Sequence, residues 1–68
     1  MERTPVDSSN LVSVGYDEDS LTLEVEFNSG IYCYYDVPSY IFEELMASDS
    51  KGSYLHQNVR NSYSYEQV

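Results

Sequence analysis

The chain has no tryptophan, one cysteine, one histidine and three basic residues, and each scarcity removes a class of protein. With Cys33 alone there is no internal disulfide, and one thiol with one imidazole is a poor ligand set for zinc. Three lysines and arginines stand against twelve aspartates and glutamates, a formal net charge of −9. A field of that sign repels phosphate, so binding nucleic acid by charge alone is disfavoured. No apolar run approaches the roughly 20 residues of a membrane span. The opening MERTPVDSSN lacks the apolar centre of a secretion signal. We therefore expect no membrane partner, no metal and no cofactor, and the cytoplasm is the expected compartment for a lone thiol.

What is present is the composition of a folded domain: 41% hydrophobic residues and eight tyrosines. At 68 residues there is room for one domain and one small core. A chain of this size buries only about 60% of its unfolded surface, and small domains usually gain help from a disulfide, a metal or a second subunit. With the first two disfavoured, the expected state is a monomer or a weak homo-oligomer.

Residues 1–10 are polar, contain Pro5 and Ser8-Ser9, and read as an extended arm. From Leu11, Val12, Val14 and Tyr16 alternate with Ser13 and Gly15, the period of a half-buried strand over about 11–16. After the polar turn Asp17-Glu18-Asp19-Ser20, the row Leu21, Leu23, Val25 and Phe27 alternates with Thr22, Glu24 and Glu26. This predicts a second strand over about 21–27. A four-residue loop sets Tyr16 opposite Leu21, with both apolar rows on one face.

The stretch GIYCYYDVP, Gly30 to Pro38, holds the third strand over about 31–37 and the entry to a helix. Its phase has two solutions. A three-residue loop pairs Phe27 with Ile31, turning Ile31, Cys33, Tyr35 and Val37 to the core and leaving Tyr32 and Tyr34 outside beside Glu26 and Glu24. A two-residue loop at Ser29-Gly30 pairs Phe27 with Tyr32 and turns Tyr32 and Tyr34 inward. One residue of slip flips every side chain, and the inward solution is preferred.

Pro38 suits the first position of a helix over about 38–48, with Ile41, Leu45, Phe42 and Met46 forming an apolar stripe. Asp49 or Ser50 can cap a shorter helix over about 50–59, which Gly52 weakens and whose Leu55 and Val59 are four apart. Residues 61–68, NSYSYEQV, read as a tail whose Tyr63 and Tyr65 order it if they reach the core. The expectation is an α+β domain: a three-stranded antiparallel sheet followed by two helices packed on one face.

An ordered set of residues resembles the KTSC domain: Ser8-Ser9-Asn10, Gly15-Tyr16-Asp17, the row Leu23/Val25/Phe27, Tyr32-Cys33-Tyr34, Val37-Pro38, Ser50 to Tyr54, and Val59-Arg60. The likeness spans nearly the whole chain, and its centre is the family's Tyr-x-Tyr motif. Members stand alone in bacteria or close the C-terminus of some lysyl-tRNA synthetases, an association from which RNA binding has been proposed. Members often carry a polar or basic residue where this chain has Cys33, and often one more residue in the turn after the glycine.

The candidate binding residues are Tyr32, Tyr34, Lys51, Tyr54, His56 and Arg60. Bases stacked on sheet aromatics gain about 1–3 kcal/mol each, which is the nucleic-acid use of Tyr32 and Tyr34. Their structural use is packing. Lys51 at a helix start, with His56 and Arg60, could form an anion pocket; the alternative is that the cations pair with carboxylates. Asp17, Glu18 and Asp19 lack the spacing of a calcium loop, and no cation neighbours Cys33 to activate it. Ser8, Ser9 and His56 have no nucleophile elbow around them. The reading is a non-enzymatic binding or accessory module. A protein partner is favoured by the acidic charge and by tyrosine's enrichment at interfaces; RNA or another single strand is the alternative.

Overall fold

Apolar–polar alternation builds the centre of the sheet. In the computed structural model, which describes residues 2–68, β2 (Leu11–Asp17) and β3 (Thr22–Phe27) form an antiparallel hairpin with Val14 opposite Val25. Tyr16 faces Leu23 rather than Leu21. Leu21 lies in the left-handed region at φ 54, so it belongs to the turn and is 41% exposed. A shift of two residues preserves side-chain parity, and Val14, Tyr16, Leu23 and Val25 still share one face. A bulge between Leu11 and Ser13 does change the phase: Leu11 is buried and Val12 is exposed, so the core row starts at Leu11.

β4 (Gly30–Tyr34) continues the meander, with Phe27 opposite Gly30, Val25 opposite Tyr32 and Leu23 opposite Tyr34. The turn is Asn28-Ser29, not Ser29-Gly30, and Tyr32 faces Val25 rather than Phe27. The parity is nevertheless that of the inward solution. Tyr32 and Tyr34 turn toward the helices, while Ile31 and Cys33 join Glu24 and Glu26 on the other face. Gly30 has φ 149, and a Cβ there would stand 2.7 Å from the Gln67 side-chain amide, so the turn needs glycine. The strand ends at Tyr34 instead of Val37, because Asp36 takes φ 58 and redirects the chain. Val37 is still fully buried and donates its N–H to the Leu21 carbonyl at 2.9 Å.

The helices follow the expected stripes. α1 (Ser39–Ala47) starts one residue after Pro38, which is the N-cap residue with extended backbone. Ile41 and Leu45 face the core. Ser50 is the N-cap residue of α2 (Lys51–Asn58), but its side chain makes no capping bond. Both helices cover the sheet face that carries Leu11, Val14, Leu23, Val25 and Tyr34, and with Val37, Leu55 and Val59 they close one core. Tyr16 ties the layers together: its ring stacks on Phe42 at 5.3 Å, and its hydroxyl donates to the Val37 carbonyl.

Among the described residues the sheet has five strands, not three, in the order β1 (Thr4–Pro5), β2, β3, β4, β5 (Tyr65–Gln67). The arm contributes β1 (Thr4–Pro5), which pairs with Val14 and Ser13. The tail contributes β5 (Tyr65–Gln67), which pairs with Tyr34, Cys33 and Tyr32. Both edges are too short and too polar to show an alternation. They are held by side chains instead. Arg3 crosses the outer face: Nε donates to Ser13 Oγ at 3.0 Å, and Nη1 pairs with Glu24. Gly15 makes room for this clasp, since a Cβ there would lie 2.6 Å from the Glu2 carbonyl oxygen. At the other edge Tyr35 donates its N–H to the Ser64 carbonyl at 2.9 Å, and its hydroxyl donates to Glu66 at 2.7 Å.

Candidate functional site

Inward-turned tyrosines need not be sealed in. At the junction of α2 with β3, β4 and β5 the helix does not fully cover the sheet, leaving a cleft of about 610 Å³. Its floor is Phe27, Tyr32, Tyr34 and Leu55, with Tyr65 from the edge strand. The rings form a continuous cluster: Phe27 meets Tyr32 edge-on at 5.4 Å, and Tyr65 lies 5.9 Å from Tyr32 and 5.5 Å from Tyr34. Such offset and tilted contacts favour the aromatic quadrupoles and hold the rings in place.

The helical wall follows from spacing. Gly52 and His56 are four residues apart and so share one stripe of α2, and Arg60 follows in the turn just past the helix end, where its N–H donates to the Leu55 carbonyl at 2.9 Å. Arg60 Nη1 lies 3.4 Å from His56 Nδ1. A guanidinium has only donors, so a hydrogen bond here runs from Arg60 to Nδ1. Asn10, Asn28, Ser29 and Ser53 complete the lining. Among the described residues no aspartate or glutamate lines this cleft, in a chain that carries twelve.

Four of the six candidate residues, Tyr32, Tyr34, His56 and Arg60, therefore meet in one cavity, and two do not. Lys51 Nζ donates to the Ser48 carbonyl at 3.0 Å, satisfying the C-terminal end of α1. It borders a separate depression of about 310 Å³ that also holds Asp7 and Asp49, so Lys51, His56 and Arg60 do not form one anion pocket. The Tyr54 hydroxyl donates to Glu44 Oε1 at 2.6 Å and joins the two helices. Phe27 and Tyr65 belong to the cleft without having been marked by the sequence. The alternation of Tyr63 and Tyr65 in the tail was the available signal for the second.

The other polar groups have structural explanations. Asp17 Oδ1 accepts from the Asp19 N–H at 3.0 Å, closing the hairpin turn. Among the described residues no group of three or more His, Cys, Asp or Glu is placed to hold a metal ion. Cys33 lies on the outer face, with its thiol 3.8 Å from Glu24 Oε2. Burial, and then the Glu24 charge, push its pKa up, which keeps it a protonated and weak nucleophile.

The tyrosines give a pH signature. The hydrogen bond to Glu66, reinforced by burial, pushes Tyr35 up to about 12. Burial, followed by the hydrogen bond to Glu44, raises Tyr54 to about 12 as well. Tyr16, Tyr34 and Tyr63 are raised too, chiefly by burial. In each case the fold favours the neutral phenol. The stability these groups contribute is complete below the unfolded value of 10.0 and is lost as pH climbs toward about 12. The tyrosinate absorbance of these groups should thus appear above the usual phenol range, with circular dichroism falling as it does. In Glu66→Gln the Tyr35 component should move back toward 10.0. A single step centred at the ordinary value in the parent chain would contradict these contacts.

A five-stranded antiparallel sheet with both helices on one face and a tyrosine-floored cleft at their junction defines a small α+β module. No helix among the described residues is long and apolar enough to cross a membrane. The KTSC domain family model matches residues 7–63, and the chain belongs to that family. An uncharacterised protein of Stutzerimonas stutzeri is 43% identical over 58 residues, covering 84% of this chain and 82% of its own. A lysine–tRNA ligase of Trichormus variabilis is 41% identical over 54 residues, which is 78% of this chain but 10% of the ligase. The crystal structure of a KTSC domain protein from Yersinia pestis superposes with a TM-score of 0.97 at 32% identity, covering 98% of this chain and 96% of that one.

Proposed function

We infer that this chain is a non-enzymatic binding module and that the cleft between α2 and β3–β5 receives a segment of a protein partner. One observation carries the reading: in a chain of net charge −9, the cleft is free of carboxylates and pairs an aromatic floor with Arg60 and His56. Its volume lies within the roughly 300–1,000 Å³ typical of ligand sites. Aromatic floors with an arginine at the edge are the usual composition of interface anchors.

RNA is the second reading, supported by the exposed Tyr65 beside Tyr32 and by the relationship to domains within lysine–tRNA ligases. The surrounding charge opposes it, since each phosphate beyond the cleft meets carboxylates.

Two titrations separate the readings. Short basic peptides and labelled single-stranded RNA are each followed by fluorescence polarisation at low and moderate salt. A protein-binding module saturates with peptides, and Tyr32→Ala weakens them about tenfold, the loss of one aromatic contact of about 1–1.5 kcal/mol. RNA that binds at low salt, weakens steeply with added salt and depends on Tyr32 transfers the function to nucleic acid. If neither binds, the cleft is not a binding site for either class.

A further inference from the structure

The polar end of the cleft carries a more specific recognition chemistry than its aromatic floor. Tyr34 is only 3% exposed, yet its hydroxyl has no hydrogen-bond partner among the described residues. No fully buried side-chain polar atom among them is left without a partner, so this oxygen keeps some access to solvent, in a residue that lines the cleft. A nearly buried phenol with an unused donor is the kind of group a ligand satisfies.

Arg60 lines the same cleft. Its positive charge is felt at the Tyr34 hydroxyl, where it partly offsets the effect of burial. Among the described residues the ion pairs within 4.0 Å are those of Arg3, with Glu24 and Glu26, so the Arg60 guanidinium is not committed to a carboxylate. Its contact is with His56 Nδ1, and an imidazole that accepts there carries its proton on Nε2 as a further donor. Arg60, His56 and Tyr34 thus line one cleft that, among the described residues, no carboxylate lines.

We propose that Arg60, His56 and the Tyr34 hydroxyl hold the free C-terminal carboxylate of a partner polypeptide, with its last side chain apolar and resting on Phe27, Tyr32 and Leu55. This deepens the protein-binding reading and rests on it. One guanidinium matches one carboxylate, and the planar fork suits that group. Polyphosphate does not fit the count, because its further charges would meet the acidic surface. The same surface selects the flank: outside the cleft the chain is strongly negative, so the residues preceding the partner's terminus are basic. An acidic side chain in mid-sequence supplies the same charge but carries chain in both directions across the floor, which a terminus does not.

The test uses synthetic hexapeptides with lysine upstream and Leu, Phe or Gly last, each made as free acid and as C-terminal amide. They are titrated against the whole chain by fluorescence polarisation. A hydrogen bond to a charged group is worth about 1.5–3 kcal/mol, so the free acid should bind about tenfold or more tightly than its amide. Leu and Phe should bind more tightly than Gly. Arg60→Ala should abolish the acid–amide difference, and Tyr34→Phe should reduce it. Arg60 is exposed, so its removal leaves the fold intact, which circular dichroism checks. Peptides that bind equally well as acid and amide, or whose acid preference survives Arg60→Ala, overturn the carboxylate proposal while leaving the binding module in place. If no peptide binds in either form, the protein-binding reading itself fails.

Discussion

Tyr34→Ala is expected to cost about 3–5 kcal/mol of stability, the range for removing a buried aromatic ring. Tyr34 is 3% exposed and sits among the ten residues of the core. A domain of this length has in total roughly 3–10 kcal/mol, from about 0.05–0.15 kcal/mol per residue. The variant should therefore be largely unfolded or close to it at 25 °C. Tyr32→Ala should stay folded, since Tyr32 is half-buried and packs at the edge of the core rather than in it. Tyr34→Phe should change stability by about 1 kcal/mol or less, because the hydroxyl it removes has no partner among the described residues. Urea unfolding followed by circular dichroism orders the three. The two rings of one motif thus have different duties: that of Tyr34 belongs to the core, and that of Tyr32 packs at its edge. Equal losses in Tyr32→Ala and Tyr34→Ala would mean that β4 is packed differently from the register described above.

Leu45→Ala is the second large effect, at about 2–5 kcal/mol. Leu45 is fully buried and, with Ile41, anchors α1 to the sheet. Alanine is the better helix former, so the loss cannot come from propensity and must come from the cavity and the lost transfer energy. Three central strands with short edges have little independent stability, and the helix layer is what holds them. The urea midpoint should fall with the slope unchanged, whereas Glu43→Ala, on the exposed side of the same helix, should move it by no more than about 0.5 kcal/mol equivalent. A Leu45→Ala variant as stable as the parent would mean that α1 does not pack as described.

Much of the fold was legible because its central elements carry strong periods. Leu23, Val25 and Phe27 alternate cleanly, and Ile41 and Leu45 keep helical spacing, so the hairpin and both helices stand where the pattern places them. The edge strands were not legible. Thr4–Pro5 and Tyr65–Gln67 are two and three residues long, and their pairing depends on Arg3, Gly15 and Tyr35 rather than on a pattern of their own. Val12 was misplaced for a local reason: a bulge shifts the phase by one residue, and a bulge leaves no mark in an alternation that reads equally well without it.

The candidate residues divide on the same principle. His56 lies on α2 and Arg60 in the turn that ends it, and that turn brings the guanidinium to the imidazole. Lys51 has the same sign of charge and lies only five positions before His56, yet it faces the end of α1 beside Asp49. Charge type is written in the chain, but its direction is written in the packing.

By itself the sequence determined the composition, the acidic balance, the family, the central hairpin and the helical faces, because these depend on residue identity and short-range periodicity. The tertiary structure decided which way Tyr32 and Tyr34 point. That choice rests on the Asn28-Ser29 turn and on Gly30 passing against Gln67, a contact made with the far end of the chain. It also decided that facing inward does not mean being sealed: α2 stops short of covering β4 and β5, and the tail supplies Tyr65 to finish the cleft. Local spacing cannot encode a gap between two elements, because the gap exists only where their packed surfaces fail to meet.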